Sequence, residues 1–135
     1  MPTAILERCD AIEECYEFML AYAAQGLPSD ESSPRVREFL RRAVNALDGL
    51  AESCATAVEN EGVVPIERYL AFLAVLDRDA GDSIAAMELV LAQPAISSQL
   101  IDNLNASIHL RALLTDLFLL GEILRAQPAL EATTT

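Results

Sequence analysis

The stretch Leu110–Leu124, LRALLTDLFLLGEIL, is the most apolar part of the chain, and its leucines recur every three or four residues. This spacing predicts an α-helix, because 3.6 residues per turn bring such positions onto one face. Arg111, Asp116 and Glu122 interrupt the stretch, which is too short for a membrane span of about 20 apolar residues. The leucine face comprises Leu110, Leu113, Leu114, Leu117, Leu120 and Leu124.

The apolar face changes side within the longer segment Pro94–Ala126. Before His109 the apolar positions are Leu100, Ile101, Leu104 and Ile108. On a straight helix they would lie nearly opposite the leucine face. The segment therefore predicts one of two structures, which can also coexist. Either the helix breaks between Asn105 and His109, or its second half packs against another subunit.

Three earlier segments also have helical periodicity. The first runs from about Thr3 to Gln25 and ends at Gly26-Leu27-Pro28, the second from Ser33 to Gly62, and the third from Pro65 to Leu91. Short connections favour antiparallel neighbours. The sequence thus predicts one all-α domain over residues 1–135, an antiparallel up-down four-helix bundle with a fifth helix if the last segment breaks.

Composition limits the classes of partner. The chain has a net charge of −12, its nine cationic side chains are all arginine, and 53% of its 135 residues are apolar. An acidic chain repels phosphate, which argues against nucleic acid and anionic membranes as partners. Three cysteines cannot form a fully paired framework, and the first residues lack the basic region of a signal peptide. We therefore expect a cytoplasmic protein with reduced thiols.

Four arginines are clustered at the start of the second helix: Arg35, Arg37, Arg41 and Arg42. They flank its apolar stripe, so their stems are expected to lie along apolar surface with the charged ends in water. In an antiparallel hairpin that turns near Ser29, Glu17 falls opposite Arg42. The alternative hypothesis is that this cluster binds an anionic ligand or an acidic partner.

Asp77 interrupts the predicted apolar stripe of the third helix. That stripe comprises Ile66, Leu70, Leu73, Ala80, Ile84, Met87 and Leu91. A carboxylate on a buried face needs a partner, because an unpaired buried charge is very costly. Arg111 is the candidate partner. The two residues predict either a buried or rim ion pair, or a small-ligand site.

Carboxylates on the first helix raise the possibility of a metal site. Glu7, Asp10, Glu13, Glu14 and Glu17 form an arc beside its apolar stripe. Ferritin-like bundles bind metal through inward carboxylates and Glu-x-x-His pairs. Here the single histidine, His109, has Ala106 three residues before it, and the arc points away from the core. We therefore predict no metal and no cofactor, and keep a metal-binding or cofactor-binding bundle as an alternative.

The function predicted from these features is non-enzymatic. An adaptor-like or chaperone-like assembly bundle would self-associate, as a dimer, through its apolar last helix, because exposed apolar patches mark contact sites. A groove for a partner protein's helix is the related possibility. In the competing interpretation the last helix is simply the central one of the bundle. The candidate interface residues are Leu110, Leu113, Leu114, Leu117, Phe118, Leu120 and Leu124.

Overall fold

The computed structural model describes residues 2–126, which form six α-helices and no strand. The prediction of an all-α protein is therefore confirmed for this part of the chain, which contains six helices where four, or five with a break, were predicted. The helices are α1 (Thr3–Ala23), α2 (Arg35–Leu47), α3 (Leu50–Glu61), α4 (Ile66–Leu91), α5 (Ser98–Ala106) and α6 (His109–Arg125).

The helix predicted from Ser33 to Gly62 is divided by Asp48 and Gly49. Asp48 has an extended backbone, and Gly49 adopts φ 76°, a left-handed conformation that glycine takes at low cost. From α1, Arg8 donates hydrogen bonds to the carbonyl oxygens of Ala46 (3.1 Å) and Asp48 (2.5 Å). Arg8 thereby satisfies acceptors that the end of α2 leaves open.

The α1–α2 pair is an antiparallel hairpin, as its spacing predicted. Phe18 stacks on Phe39 with ring centroids 4.3 Å apart, and Arg42 forms an ion pair with Glu14 at 3.2 Å. Residues later in α2 therefore contact residues earlier in α1, which is the antiparallel order. The predicted pairing of Arg42 with Glu17 is wrong by about one helical turn.

Helix α4 is continuous across the polar run 77–83, as predicted, but its buried face is displaced from the predicted stripe. The buried positions alternate in steps of four and three, the spacing of helices packed side by side. They are Tyr69, Leu73, Leu76, Ala80, Ser83, Met87 and Val90. The buried face is thus shifted by about one residue position, which turns Asp77 towards solvent.

The break predicted between Asn105 and His109 is present, so α5 and α6 are separate helices. Ile108 lies at the break with φ 64°, in the left-handed region that β-branched residues rarely adopt. The Ser107 hydroxyl donates to the Leu104 carbonyl, and the Ala112 amide donates to the Ile108 carbonyl at 2.8 Å. These bonds close α5 and start α6 in a new orientation.

A buried polar network joins the loop after α1 to the loop before α5. The Tyr22 hydroxyl donates to the Ile96 carbonyl at 2.7 Å, and the Ser98 hydroxyl donates to the Tyr22 carbonyl at 2.6 Å. Asp30 accepts from the Ile96 amide at 2.9 Å and from Arg37 Nε at 2.7 Å. The network holds both loops at one end of the molecule.

No helix among residues 2–126 is both long enough and apolar enough to cross a membrane.

Candidate functional site

The leucine face of α6 is occupied within the subunit. Leu110, Leu113, Leu114 and Leu120 are buried, and Leu117 and Leu124 are partly buried against the same core. The helix packs mainly on α4, with smaller contacts to α1 and α5. These six leucines are therefore core residues, and the prediction that they form an exposed interface is wrong.

The opposite face of α6 presents apolar side chains to solvent. Phe118 is 57% exposed, Leu119 49% and Ile123 40%. Phe118 was among the predicted interface residues, whereas Leu119 and Ile123 were missed. A signal existed in the sequence, because the two are one turn apart and both lie off the leucine face. We call Phe118, Leu119 and Ile123 the outer patch.

The charges beside the outer patch nearly balance. The exposed ionic side chains of α6 are Arg111, Glu122 and Arg125, and Arg125 pairs with Glu122 at 2.6 Å. Both partners are largely exposed, so the pair adds little stability. In a chain of net charge −12 this outer face is unusual, since its arginines outnumber its single glutamate. The face lacks the local repulsion that the acidic parts of the surface would produce.

Asp116 faces α4 rather than the outer patch. Its carboxyl lies within hydrogen-bonding reach of the Asp79 carboxyl, and its Oδ2 is buried without an N–H or O–H donor in the described chain. Burial, followed by the hydrogen bond and the negative charge of Asp79, raises the pKa of Asp116 to about 7.

Asp77 and Arg111 are not brought together. Both side chains are exposed, and no ion pair joins them among residues 2–126. The predicted buried or rim ion pair is therefore wrong, because α4 buries the neighbouring face that contains Leu73, Leu76 and Ala80.

A shallow depression lies at the end of α4. Its volume is about 380 Å³, and its wall is apolar except for Gln93. It contains neither Asp77 nor Arg111. The lining residues are Leu89, Val90, Gln93, Pro94, Ala95 and Leu100.

The arginine cluster separates into different environments. Arg37 belongs to the buried network, where it also donates to the carbonyl oxygens of Leu91 (3.0 Å) and Gln93 (2.8 Å). Arg35 and Arg42 lie over the Phe39 ring, at 5.2 and 5.6 Å from its centroid. This is a cation–π arrangement of the two guanidinium groups with the ring.

The same separation limits the anion-binding hypothesis. Arg41 is exposed on another side of the helix, and Arg37 is bonded inside the molecule. The four arginines therefore do not form one continuous patch, and Arg35 and Arg42 are the two that lie together around Phe39.

The thiols lie in surroundings that favour the neutral form. Burial raises the pKa of Cys15 to about 12, and raises that of Cys54 to about 11 with a smaller contribution from Cys9. The pKa of Cys9 is raised by burial and by the charges of Glu13 and Asp10. Because the thiolate is the nucleophilic form, these surroundings suppress thiol chemistry.

The residues of the metal hypothesis are dispersed. Glu7, Asp10, Glu14 and Glu17 are exposed, Glu13 is half-buried, and His109 begins α6. Within residues 2–126 no three His, Cys, Asp or Glu side chains are grouped so that they could hold a metal ion.

Comparison of the chain with models of protein families, with curated proteins and with solved structures finds no match.

Proposed function

We propose that this protein is a non-enzymatic assembly bundle that self-associates through the outer patch of α6. The observation that carries the proposal is the exposure of Phe118, Leu119 and Ile123 on a helix whose other face is already filled. Large apolar side chains exposed together mark contact surfaces, whereas single ones are normal on any protein. The proposal includes an up-and-down bundle of four layers: α1, α2 with α3, α4, and α5 with α6.

Charge favours a second copy at α6 over a second copy at α4. Helix α4 also exposes apolar side chains, Leu70, Val75 and Leu89. They alternate with exposed acids, Glu67, Asp77, Asp82 and Glu88, against Arg68 and Arg78. Two copies meeting there would bring like charges together, whereas the exposed charges of α6 are one acid and two arginines. Like-charge contacts suppress association.

The size of the patch predicts a dissociable dimer. Stable interfaces bury about 800 Å² on each partner and contain 20 to 30 residues a side. Three exposed side chains on one helix provide only the apolar centre of such an interface. A two-fold arrangement doubles their number, because each copy contributes the same surface. We therefore expect association that depends on protein concentration.

Sedimentation equilibrium over a wide concentration range tests the proposal. The native chain should shift from monomer towards dimer as the concentration rises, and the variant Phe118→Ser with Leu119→Ser should remain monomeric. The matched control is Leu70→Ser with Leu89→Ser, which removes two exposed apolar side chains from α4 and should leave association intact. A native chain that is monomeric at every concentration would refute the proposal, as would equal loss of association in both double variants.

A further inference from the structure

The carboxyl groups of Asp79 and Asp116 meet across the contact between α4 and α6. They come from two helices that pack extensively on each other, and Asp116 Oδ2 has no donor from any described N–H or O–H group. Because Asp116 Oδ2 is shielded from solvent, two ionised carboxylates in contact here repel each other. One proton between them turns the same geometry into an O–H···O hydrogen bond.

We propose that Asp79 and Asp116 form a protonation latch: a shared proton fastens α6 to α4, and loss of that proton to solvent loosens α6. The latch sits in the helix that carries the outer patch, two residues before Phe118. One proton and one hydrogen bond distinguish its two states. Opening breaks the carboxylic O–H bond and the hydrogen bond, and the released proton passes to a solvent water molecule or hydroxide ion.

Nearby charges do not neutralise the pair. Helices α1, α4 and α5 pack against α6, and the charged group that acts on Asp116 from them is Asp79. Among residues 2–126, no arginine forms an ion pair with Asp79 or Asp116. Five other charged side chains on these helices are exposed: Arg78 and Asp82 on α4, Asp102 on α5, and Arg111 and Glu122 on α6.

The direction of the pH effect follows from the raised pKa. Asp116 has a folded-state pKa of about 7, above the ordinary value of 3.8, so the folded state holds a proton that the unfolded state has already released. The stabilisation is complete below the ordinary value and is lost as the pH rises through about 7. The latch is therefore closed in mildly acidic solution and open in mildly alkaline solution.

Hydrogen exchange compared between proteins at the same pH tests the latch, because intrinsic exchange rates then cancel. The variant Asp116→Asn keeps the shape of the side chain and removes the second charge. At pH 8, amides in residues 109–125 of the native chain should exchange faster than those of the variant, by about tenfold. At pH 5.5 the two proteins should exchange alike. Asp79→Asn removes the charge from the other side and should behave in the same way.

Asp82→Asn is the control, since it removes an exposed acid of α4 that is not in the pair. It should leave the pH 8 exchange of α6 as in the native chain. Equal α6 protection in the native chain and both pair variants at pH 8 would overturn the latch. The latch would also be overturned if Asp116→Asn increased amide protection equally in all six helices. The same holds if Asp82→Asn protected α6 as strongly as Asp116→Asn does.

The influence of the latch on self-association rests on the function proposed above. Repeating the comparison in the Phe118→Ser, Leu119→Ser background separates the two proposals. A pH-dependent difference that persists there supports the latch whether or not the chain dimerises. If Asp116→Asn changed the exchange of α6 only when Phe118 and Leu119 are intact, the effect would belong to the contact between subunits, and the latch would be overturned.

Discussion

The Tyr22 hydroxyl donates a 2.7 Å hydrogen bond to the carbonyl oxygen of Ile96, 74 residues away, with both groups buried. Tyr22→Phe would leave that carbonyl without its donor, at a cost of about 1–3 kcal/mol. Urea unfolding of the variant should measure a loss in this range. Tyr16→Phe, at a half-buried tyrosine with no such bond in the described structure, should change stability by less than half as much. Equal losses of stability in the two variants would show that the Tyr22–Ile96 hydrogen bond does not account for the effect of Tyr22→Phe.

Asp30 should make the protein less stable in acid. The backbone amide of Ile96 and the Arg37 guanidinium lower its pKa, outweighing the effect of burial. A lowered acid pKa stabilises the fold above the ordinary value of 3.8, and this contribution is lost as the pH falls through the folded-state pKa.

Asp30→Asn isolates this contribution. At pH 7 the variant should be less stable by about 1.5–3 kcal/mol, the range for hydrogen bonds to charged groups. Chemical unfolding at lower pH should show the difference from the native chain shrinking below about pH 4. Glu31→Gln changes the neighbouring exposed acid and serves as the control. A stability difference that stays constant down to pH 3 would contradict the assignment.

The two faces of α6 should respond differently to truncation. Leu113 is fully buried, so Leu113→Ala should cost about 2–5 kcal/mol through lost burial and an internal cavity. Leu119→Ala removes a side chain that is half exposed, and in dilute protein it should change stability by at most about 0.5 kcal/mol. Unfolding curves at low protein concentration make the comparison. Similar costs at both positions would mean that the orientation of α6 is wrong.

Ile108 is the position where a substitution should increase stability. Its left-handed backbone costs a β-branched residue about 1–2 kcal/mol, and its side chain is 55% exposed, so little packing is lost on replacement. Ile108→Asn should therefore raise the midpoint of thermal unfolding. Ile123→Asn, at an exposed isoleucine inside α6, should not. A lower midpoint for Ile108→Asn would place that side chain in a contact that matters more than backbone strain.

Apolar spacing predicted burial better than it predicted helix boundaries. On the predicted second helix the apolar spacing marks a stripe that is buried except for the partly buried Phe39, although the backbone changes direction within it. The stripe comprises Val36, Phe39, Leu40, Ala43, Leu47, Leu50, Cys54 and Val58. The pattern reports which side chains leave water, and two short helices can bury one stripe as well as a single helix. The missed break has a local cause, because Asp48-Gly49 is a turn dipeptide that interrupts a helical pattern.

The candidate site was harder to predict because two apolar faces compete on the same helix. On α4 the predicted stripe and the observed one share Leu73, Ala80 and Met87. The choice between them depends on Tyr69 and Ser83, which are buried but would not be ranked as core residues from sequence. On α6 the six leucines were likewise predicted to form the interface, and two of the three residues of the outer patch were missed. Which face turns inward depends on neighbouring helices, which periodicity alone does not specify.

Arg8 and Arg37 each reach from one segment to the carbonyl oxygens at the end of another helix, Arg8 at α2 and Arg37 at α4. Two of only nine cations are therefore committed to helix ends, where a positive charge is favourable. The surface open to a second molecule is therefore more negatively charged than the composition of the chain suggests. Most directions of approach are opposed by electrostatic repulsion, so the fold itself narrows the orientations in which a second acidic chain can arrive.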